Sequence, residues 1–147
     1  MNRTPVYVDA SVIAGLVLSD ISSEGLLASI DDGATLLHSR FGLGEVVSAI
    51  AARTRALRQT DEDAEVKIAA LGDFLSYWRE ETFRPADLDR AIILAGRPSL
   101  ALKLPDAIHV AIVERVGLPL LTADRQQERA ARAIGLTTIL LPMKDSR

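Results

Sequence analysis

Short apolar runs and longer amphipathic ones alternate along this chain, and the alternation predicts strands and helices in turn. Val6-Tyr7-Val8 is a β-type run, and Ser11 to Leu18 behind it reads as a helix from its length and its Ala, Leu and Ser content. Ser22 and Ser23 suit the cap of a short helix through Ile30, with Glu24 in the first turn where the helix dipole favours an acid. Asp31-Asp32-Gly33 is turn chemistry, and Ala34 to His38 predicts a second strand. Ser39 is placed to cap a helix carrying Glu45, Val46, Val47, Ile50 and Ala51. Between Asp61 and Arg79, Val66, Ala69, Ala70, Phe74, Leu75 and Trp78 form a helical stripe, which assigns Phe74 and Trp78 to the core. Thr82 to Pro85 reads as a weak third strand and Asp87 to Ala95 as a helix, broken by Gly96-Arg97-Pro98. Pro105 suits the first turn of a helix running to about Val116 and ended by Gly117. Leu118 to Thr122 is a fourth strand, Arg125 to Ile134 a polar-faced helix closed by Gly135, and Leu136 to Leu141 the last strand.

Strands alternating with helices imply a mainly parallel sheet of about five strands, covered on both faces. In such sheets the crossovers are right-handed, and ligands bind beyond the carboxyl ends of the strands, where the winding reverses. With 147 residues, no repeats and no linkers, residues 1–147 fit a single domain. Hydrophobic residues make up 48% and mean hydropathy is +0.18, enough for a core and for an apolar surface that meets another chain. The absence of cysteine excludes disulfides and thiolate metal sites, and fits a reducing cytoplasm. No stretch approaches the ~20 apolar residues of a membrane span. Val6 to Leu18 resembles a signal-peptide core, but Asp9 interrupts it and no small-residue cleavage site follows. The expectation is a soluble, unprocessed, cytoplasmic protein. Net charge is −3, from 17 basic and 20 acidic residues, so there is no global basic footprint for nucleic acid. Only Lys67, Lys103 and Lys144 are lysine; the arginines that make up the rest suit phosphate and carboxylate alike.

Four carboxylates stand where buried or half-buried segments end: Asp9 after the first strand, Glu45 about two helical turns past the second, Asp106 opening a very apolar helix, and Asp124 after the fourth strand. A charge at the lip of an apolar segment is costly unless something compensates its desolvation. If strands one and four are neighbours across the reversal, Asp9 and Asp124 flank one crevice, and the positions of Glu45 and Asp106 are compatible with the same crevice. Asp9, Asp106 and Asp124 each have a simpler reading, since aspartate is a favoured helix cap and complements the helix dipole. Glu45, between Leu43 and Val46 on a helix that looks mostly buried, needs a partner. Should all four converge, their repulsion leaves a site that a hard divalent cation would fill. His109, three positions past Asp106, is placed to face the site, although a histidine on an apolar helix is more often a satisfied core residue; His38 reads as structural. Arg53, Arg55 and Arg58 read either as a track for a phosphate backbone or as a solvated helix face.

The ordered runs Tyr7-Val8-Asp9-Ala10-Ser11-Val12, Glu45-Val46-Val47-Ser48-Ala49, Asp106-Ala107-Ile108-His109-Val110-Ala111 and Leu120-Leu121-Thr122-Ala123-Asp124 resemble those of the PIN-domain ribonucleases. Within that family the chain is most similar to the VapC-type toxins of bacterial toxin–antitoxin pairs, over essentially its whole length. The resemblance implies a three-layer α/β/α sandwich, Mg²⁺ or Mn²⁺ as cofactor, and cleavage of single-stranded RNA (tRNA, rRNA or mRNA). Carried over by position, the acidic quartet is Asp9, Glu45, Asp106 and Asp124. Asp9 and Asp106 would be the main direct ligands, Asp124 would share a metal through water, and Glu45 would bind a second metal or orient water. Ser11 and Thr122 fall where hydroxyls hold the carboxylates. Gln127, where an apolar residue is usual, and Leu104-Pro105, in place of a polar lead-in, depart from the pattern. The resemblance further implies a cognate antitoxin and a homodimer, for which Ser11–Leu18, Leu26–Ile30 and the Asp61–Arg79 helix would supply the groove and the face. Two other readings compete. A phosphatase of the haloacid-dehalogenase type would use Asp9 as nucleophile but wants a second aspartate where Ser11 stands. A PIN-type domain outside toxin systems, or one that only binds RNA or protein, is the other.

Overall fold

The computed structural model describes residues 3–144. Its strands are β1 (Val6–Val8), β2 (Leu36–Ser39), β3 (Arg79–Glu81), β4 (Leu120–Thr122) and β5 (Thr138–Leu140). They form one sheet in the order β3-β2-β1-β4-β5, every pair parallel. The helices are α1 (Ala10–Val17), α2 (Ser23–Ser29), α3 (Arg40–Ala56), α4 (Asp61–Leu75), α5 (Pro85–Ala95), α6 (Leu104–Val116) and α7 (Arg125–Ala133). The two-residue pleat sends alternate side chains to opposite faces. Tyr7, Leu37 and Leu120 accordingly join one core with α5, α6 and α7, while Val6, Val8 and Leu121 join another with α1, α3, α4 and Leu26 of α2. This is the expected three-layer sandwich, apolar on both faces as a parallel sheet requires. Among the described residues, no helix is long and apolar enough to cross a membrane.

β1 pairs with β2 on one side and β4 on the other, so the winding reverses at the β1–β4 seam. The register Tyr7↔Leu120 and Val8↔Leu121 brings Asp9 and Thr122 out side by side at the carboxyl ends, and the Asp9 amide donates to the Leu121 carbonyl at 3.0 Å. That edge is where such sheets bind ligands.

Three expected elements come out differently. The third strand is Arg79–Glu81, not Thr82–Pro85. It is an exposed sheet edge, where charged residues are tolerated and discourage further pairing. The Pro85 ring instead opens α5, whose first turn is braced by Asp87 Oδ2 accepting from the Arg84 amide at 2.9 Å. The helix from Asp61 ends at Leu75, and its apolar positions form two stripes. Ala64, Ile68, Leu71 and Leu75 face the core, whereas Val66 (71% exposed) and Phe74 (40% exposed) face out with Ala69 and Ala70. Trp78 is half-buried against the second core, as expected, but Phe74 is a surface residue that leans on it at a ring separation of 5.3 Å. α1 starts at Ala10 because Asp9 caps it, accepting from the Ser11 and Val12 amides.

α6 is buried from Ala107 through Val113 and ends on Gly117 at φ +69°, a left-handed turn that glycine adopts without steric cost. Arg115 near that end donates to Asp87 (2.7 and 3.0 Å), Glu81 (2.8 Å) and the Thr82 carbonyl (3.0 Å), fastening α6 to α5 and to the sheet edge. These bonds hold the Asp87 carboxyl below its usual range against the burial that opposes them.

Candidate active site

Asp9 is almost fully buried, and both of its oxygens are held. Oδ1 accepts from Ser11 Oγ at 2.6 Å and from the Ser11 and Val12 amides at 3.2 and 3.4 Å. Oδ2 accepts from Thr122 Oγ1 at 3.1 Å. Both hydroxyls assigned to carboxylate support therefore touch Asp9, and helix capping and site building turn out to be one arrangement. Burial pushes the Asp9 carboxyl up, and His109, Ser11 and Thr122 oppose that rise.

Asp124 caps α7 in the same manner, its Oδ1 accepting from the Gln126 and Gln127 amides at 2.8 and 3.0 Å. Gln127 is fully buried and does a job that an apolar residue could not. Its carbonyl oxygen accepts from Thr122 Oγ1 at 2.7 Å and its amide donates to the Asp106 carbonyl at 3.3 Å. The hydroxyl proton of Thr122 serves Gln127 or Asp9, one at a time. Gln127 thus ties the strand that ends at Asp124 to the helix turn that presents Asp106. The signal for it in the sequence was its placement three residues past an acid at a helix start.

Asp106 lies half-buried in the first turn of α6. Its carboxyl is pushed up by desolvation and then by Asp124, Asp9 and Glu45, with His109 acting the other way. The other three acids are therefore within electrostatic reach of Asp106, and like charges so placed favour a cation or a proton between them. Glu45 is half-buried on α3 and finds its partner in His109, whose Nε2 hydrogen-bonds Glu45 Oε1. His109 meets both of its expected readings: it is buried, and it faces the site through the spacing of three from Asp106, which puts both on one helix face. A depression of ≈ 460 Å³ lined by Arg40, Phe41, Gly44, Glu45 and Ser48 opens beside it.

The donor set is all oxygen from carboxylates, with no thiolate, which suits Mg²⁺ or Mn²⁺. Among the described residues no three His, Asp or Glu side chains close around one point as a preformed cage. Mg²⁺ does not need one: it keeps several waters and is held through one or two carboxylates together with substrate phosphates. The residues fit such an ion.

Arg53, Arg55 and Arg58 are not brought to this cleft. Arg53 and Arg55 lie in the last turn of α3, 8 and 10 residues past Glu45 or about 12–15 Å along the axis, and Arg58 follows just beyond the helix end. Arg53 pairs there with Asp20 at 3.2 Å, and Arg55 and Arg58 line a separate hollow with Thr54 and Gln59. The basic side chain beside Glu45 is Arg40, which also reaches Glu80 at 3.4 Å. His38 is buried, its Nδ1 without a hydrogen-bond partner among the described residues, and burial lowers its pKa. Away from the sheet edge, an apolar cleft of ≈ 250 Å³ runs between α1, α2 and α4, lined by Leu16, Val17, Ser23, Ala70, Leu71 and Phe74.

The sequence model of the PIN domain matches residues 6–133. Comparison with curated protein sequences gives no match. Among solved structures, the chain is similar to the Mycobacterium tuberculosis toxin VapC20, described as cleaving the sarcin–ricin loop, with 21% identity, a TM-score of 0.64, and 90% of this chain and 96% of that one covered. It is similar to FitAcB of Neisseria gonorrhoeae (15% identity, TM-score 0.67, 90% and 95% covered). A third similar structure is VapBC2 of Rickettsia felis bound to a promoter DNA fragment (15% identity, TM-score 0.64, 90% and 96% covered).

Proposed function

The chain belongs to the PIN domain family, whose members are generally nucleases, and from that premise we propose that it is a Mg²⁺- or Mn²⁺-dependent endoribonuclease acting as the toxin of a toxin–antitoxin pair. The observation that carries the reading is the convergence at the β1–β4 seam: Asp9 and Thr122 emerge side by side there, and Gln127, two residues past the start of the helix that Asp124 caps, bonds the helix turn of Asp106, whose carboxyl is pushed up by desolvation and then by Asp124, Asp9 and Glu45. Structural isolation of that many acids is costly unless a cation is their function.

In this reading Asp9 and Asp106 would be the main ligands of the ion, Asp124 would share it, and Glu45 would serve a second ion or orient water. When bound, the ion supplies Lewis acidity to the scissile phosphate and to that water. Ser11 and Thr122 favour the ionised form of Asp9 against its burial by hydrogen-bonding its two oxygens. Arg40 and Ser48 line the open side next to Glu45, where an RNA backbone phosphate would lie. Single-stranded RNA as substrate, a cognate antitoxin and a homodimer belong to the same proposal. The exposed stripe of α4 and the apolar cleft it shares with α1 and α2 have the character of the antitoxin's seat.

The test is cleavage of single-stranded RNA with Mg²⁺ and with chelator. Asp9→Asn or Asp106→Asn should lower the rate at least ~100-fold, the scale of removing one strong catalytic group. Full activity in either variant, or full activity in chelator, overturns the assignment. Metal binding without turnover on any RNA would favour a binding module instead.

A further inference from the structure

We infer that His109 is a positioning residue for Glu45: a buried chain from Ser39 through Tyr7 to His109 ends in an imidazole N–H that fixes this carboxylate at the mouth of the acidic cleft. Its kinetic consequence rests on the ribonuclease reading; its geometry does not.

An imidazole inside an apolar helix is costly unless its nitrogens are paired. His109 is 1% exposed, and both nitrogens have partners. Nδ1 lies 2.7 Å from the Tyr7 hydroxyl, and Nε2 meets Glu45 Oε1. An ionised carboxylate only accepts, so Nε2 carries a proton. The Tyr7 hydroxyl is also hydrogen-bonded to Ser39 Oγ at 2.8 Å, its single proton serving either that oxygen or His109 Nδ1, and Ser39 Oγ accepts from the Gly42 amide at 2.9 Å. Ser39 is the N-cap of α3, the helix that carries Glu45. The chain thus leaves α3 at its cap and returns to it at Glu45, with the imidazole as the span between.

The ring is confined on its other sides. A Cβ at Gly42 would stand 3.2 Å from His109 Cε1 and 3.3 Å from Ser39 Oγ, so the imidazole fills the space a side chain would need. The rings of Phe41 and Tyr7 tilt against it at 5.4 and 5.8 Å. Among the described residues, His109 is the one side chain that hydrogen-bonds Glu45, on a flexible side chain at the lip of an open depression. Without that bond the Glu45 carboxylate would sample rotamers whose oxygens point away from the other acids.

Two isosteric variants separate positioning from packing. In His109→Gln the terminal amide reaches the Nε2 position and still donates to Glu45. In His109→Asn the amide reaches only the Nδ1 position and still meets Tyr7. His109→Asn should lose about 10–100-fold in kcat with KM little changed, the usual scale for removing an outer partner of a ligand, and His109→Gln should recover most of it. A long-range ¹H–¹⁵N spectrum of the metal-free protein should show Nε2 protonated, with its signal shifted in Glu45→Gln, a substitution at a half-exposed side chain. Equal activity in the Gln and Asn variants overturns the inference, as does a Nε2 signal that is unprotonated or unmoved by Glu45→Gln. If the wild-type protein cuts no RNA, the nuclease reading falls and the spectrum alone decides the relay.

Discussion

Ser11 and Thr122 stand 111 residues apart in sequence, yet their hydroxyl oxygens lie 3.4 Å apart across the β1–β4 seam, and each grips a different oxygen of Asp9. A hydrogen bond to a charged group contributes about 1.5–3 kcal/mol, and here it opposes the burial that pushes the Asp9 carboxyl up. Removing a bond to the charged form raises the pKa further. Ser11→Ala should therefore move the acid limb of the pH–rate profile to higher pH and lower the plateau by about 10–100-fold. A rate measured across pH for the two proteins checks both effects.

The same acids give the metal-free protein an unusual pH dependence. Asp9 and Asp106 both have raised carboxyl pKa values in the fold, so the unfolded chain loses those protons at lower pH than the folded one. Their contribution to stability is fully present below the unfolded value and is lost as pH rises through the folded value. Denaturant midpoints without metal should rise as pH is lowered from neutral through the two raised values, and Asp106→Asn should raise the midpoint at pH 7 while abolishing cleavage. A midpoint that falls steadily from neutrality contradicts this.

Asp87 has the opposite sign. Its carboxyl is held low by Arg115 and the Arg84 amide, so its contribution is present above the unfolded value and is lost as pH falls through the folded one. Asp87→Ala leaves a partly buried guanidinium short of its partner and should cost about 3 kcal/mol, lowering Tm by about 10 °C. Cleavage by the folded fraction should be unchanged, since the network lies between α5, α6 and β3 and touches none of the quartet. Calorimetry and an activity assay below the transition measure the two quantities.

Phe74 and Val66 form an exposed apolar stripe that the helix does not need for its own packing. Phe74→Glu should leave Tm and RNA cleavage near the wild-type values while weakening inhibition by the cognate antitoxin at least tenfold, the effect of about 1.4 kcal/mol. Titration of the antitoxin against cleavage activity provides the comparison.

Much of this arrangement was legible in the sequence because its causes are local. The runs Val6–Val8 and Leu118–Leu121 are too apolar and too short for anything but buried strands, and the aspartate behind each must emerge at the carboxyl edge. Glu45 announced a partner by being an acid among Leu43, Val46 and Val47. What stayed hidden depends on which helix face meets which layer. The outward stripe of α4 and the true third strand at Arg79–Glu81 carry residues that are chemically at odds with their element, and only an edge position or a surface meeting solvent accommodates them. His109 and Gln127 were legible as types and spacings but not as roles, because Tyr7 and Glu45 reach His109, and the Asp106 carbonyl reaches Gln127, from elements distant in sequence. The arginines of α3 show the reverse: their clustering is real in sequence, and the helix length carries them away from the cleft.

The claim on which the rest depends is that Asp9 and Asp106 share one cation at the seam. Anomalous scattering from crystals soaked in Mn²⁺ tests it directly. The account predicts a peak within coordination distance of both carboxylates, with Asp124 reached directly or through water, and its loss in Asp106→Asn. A peak elsewhere on the surface, or none at saturating Mn²⁺, contradicts it.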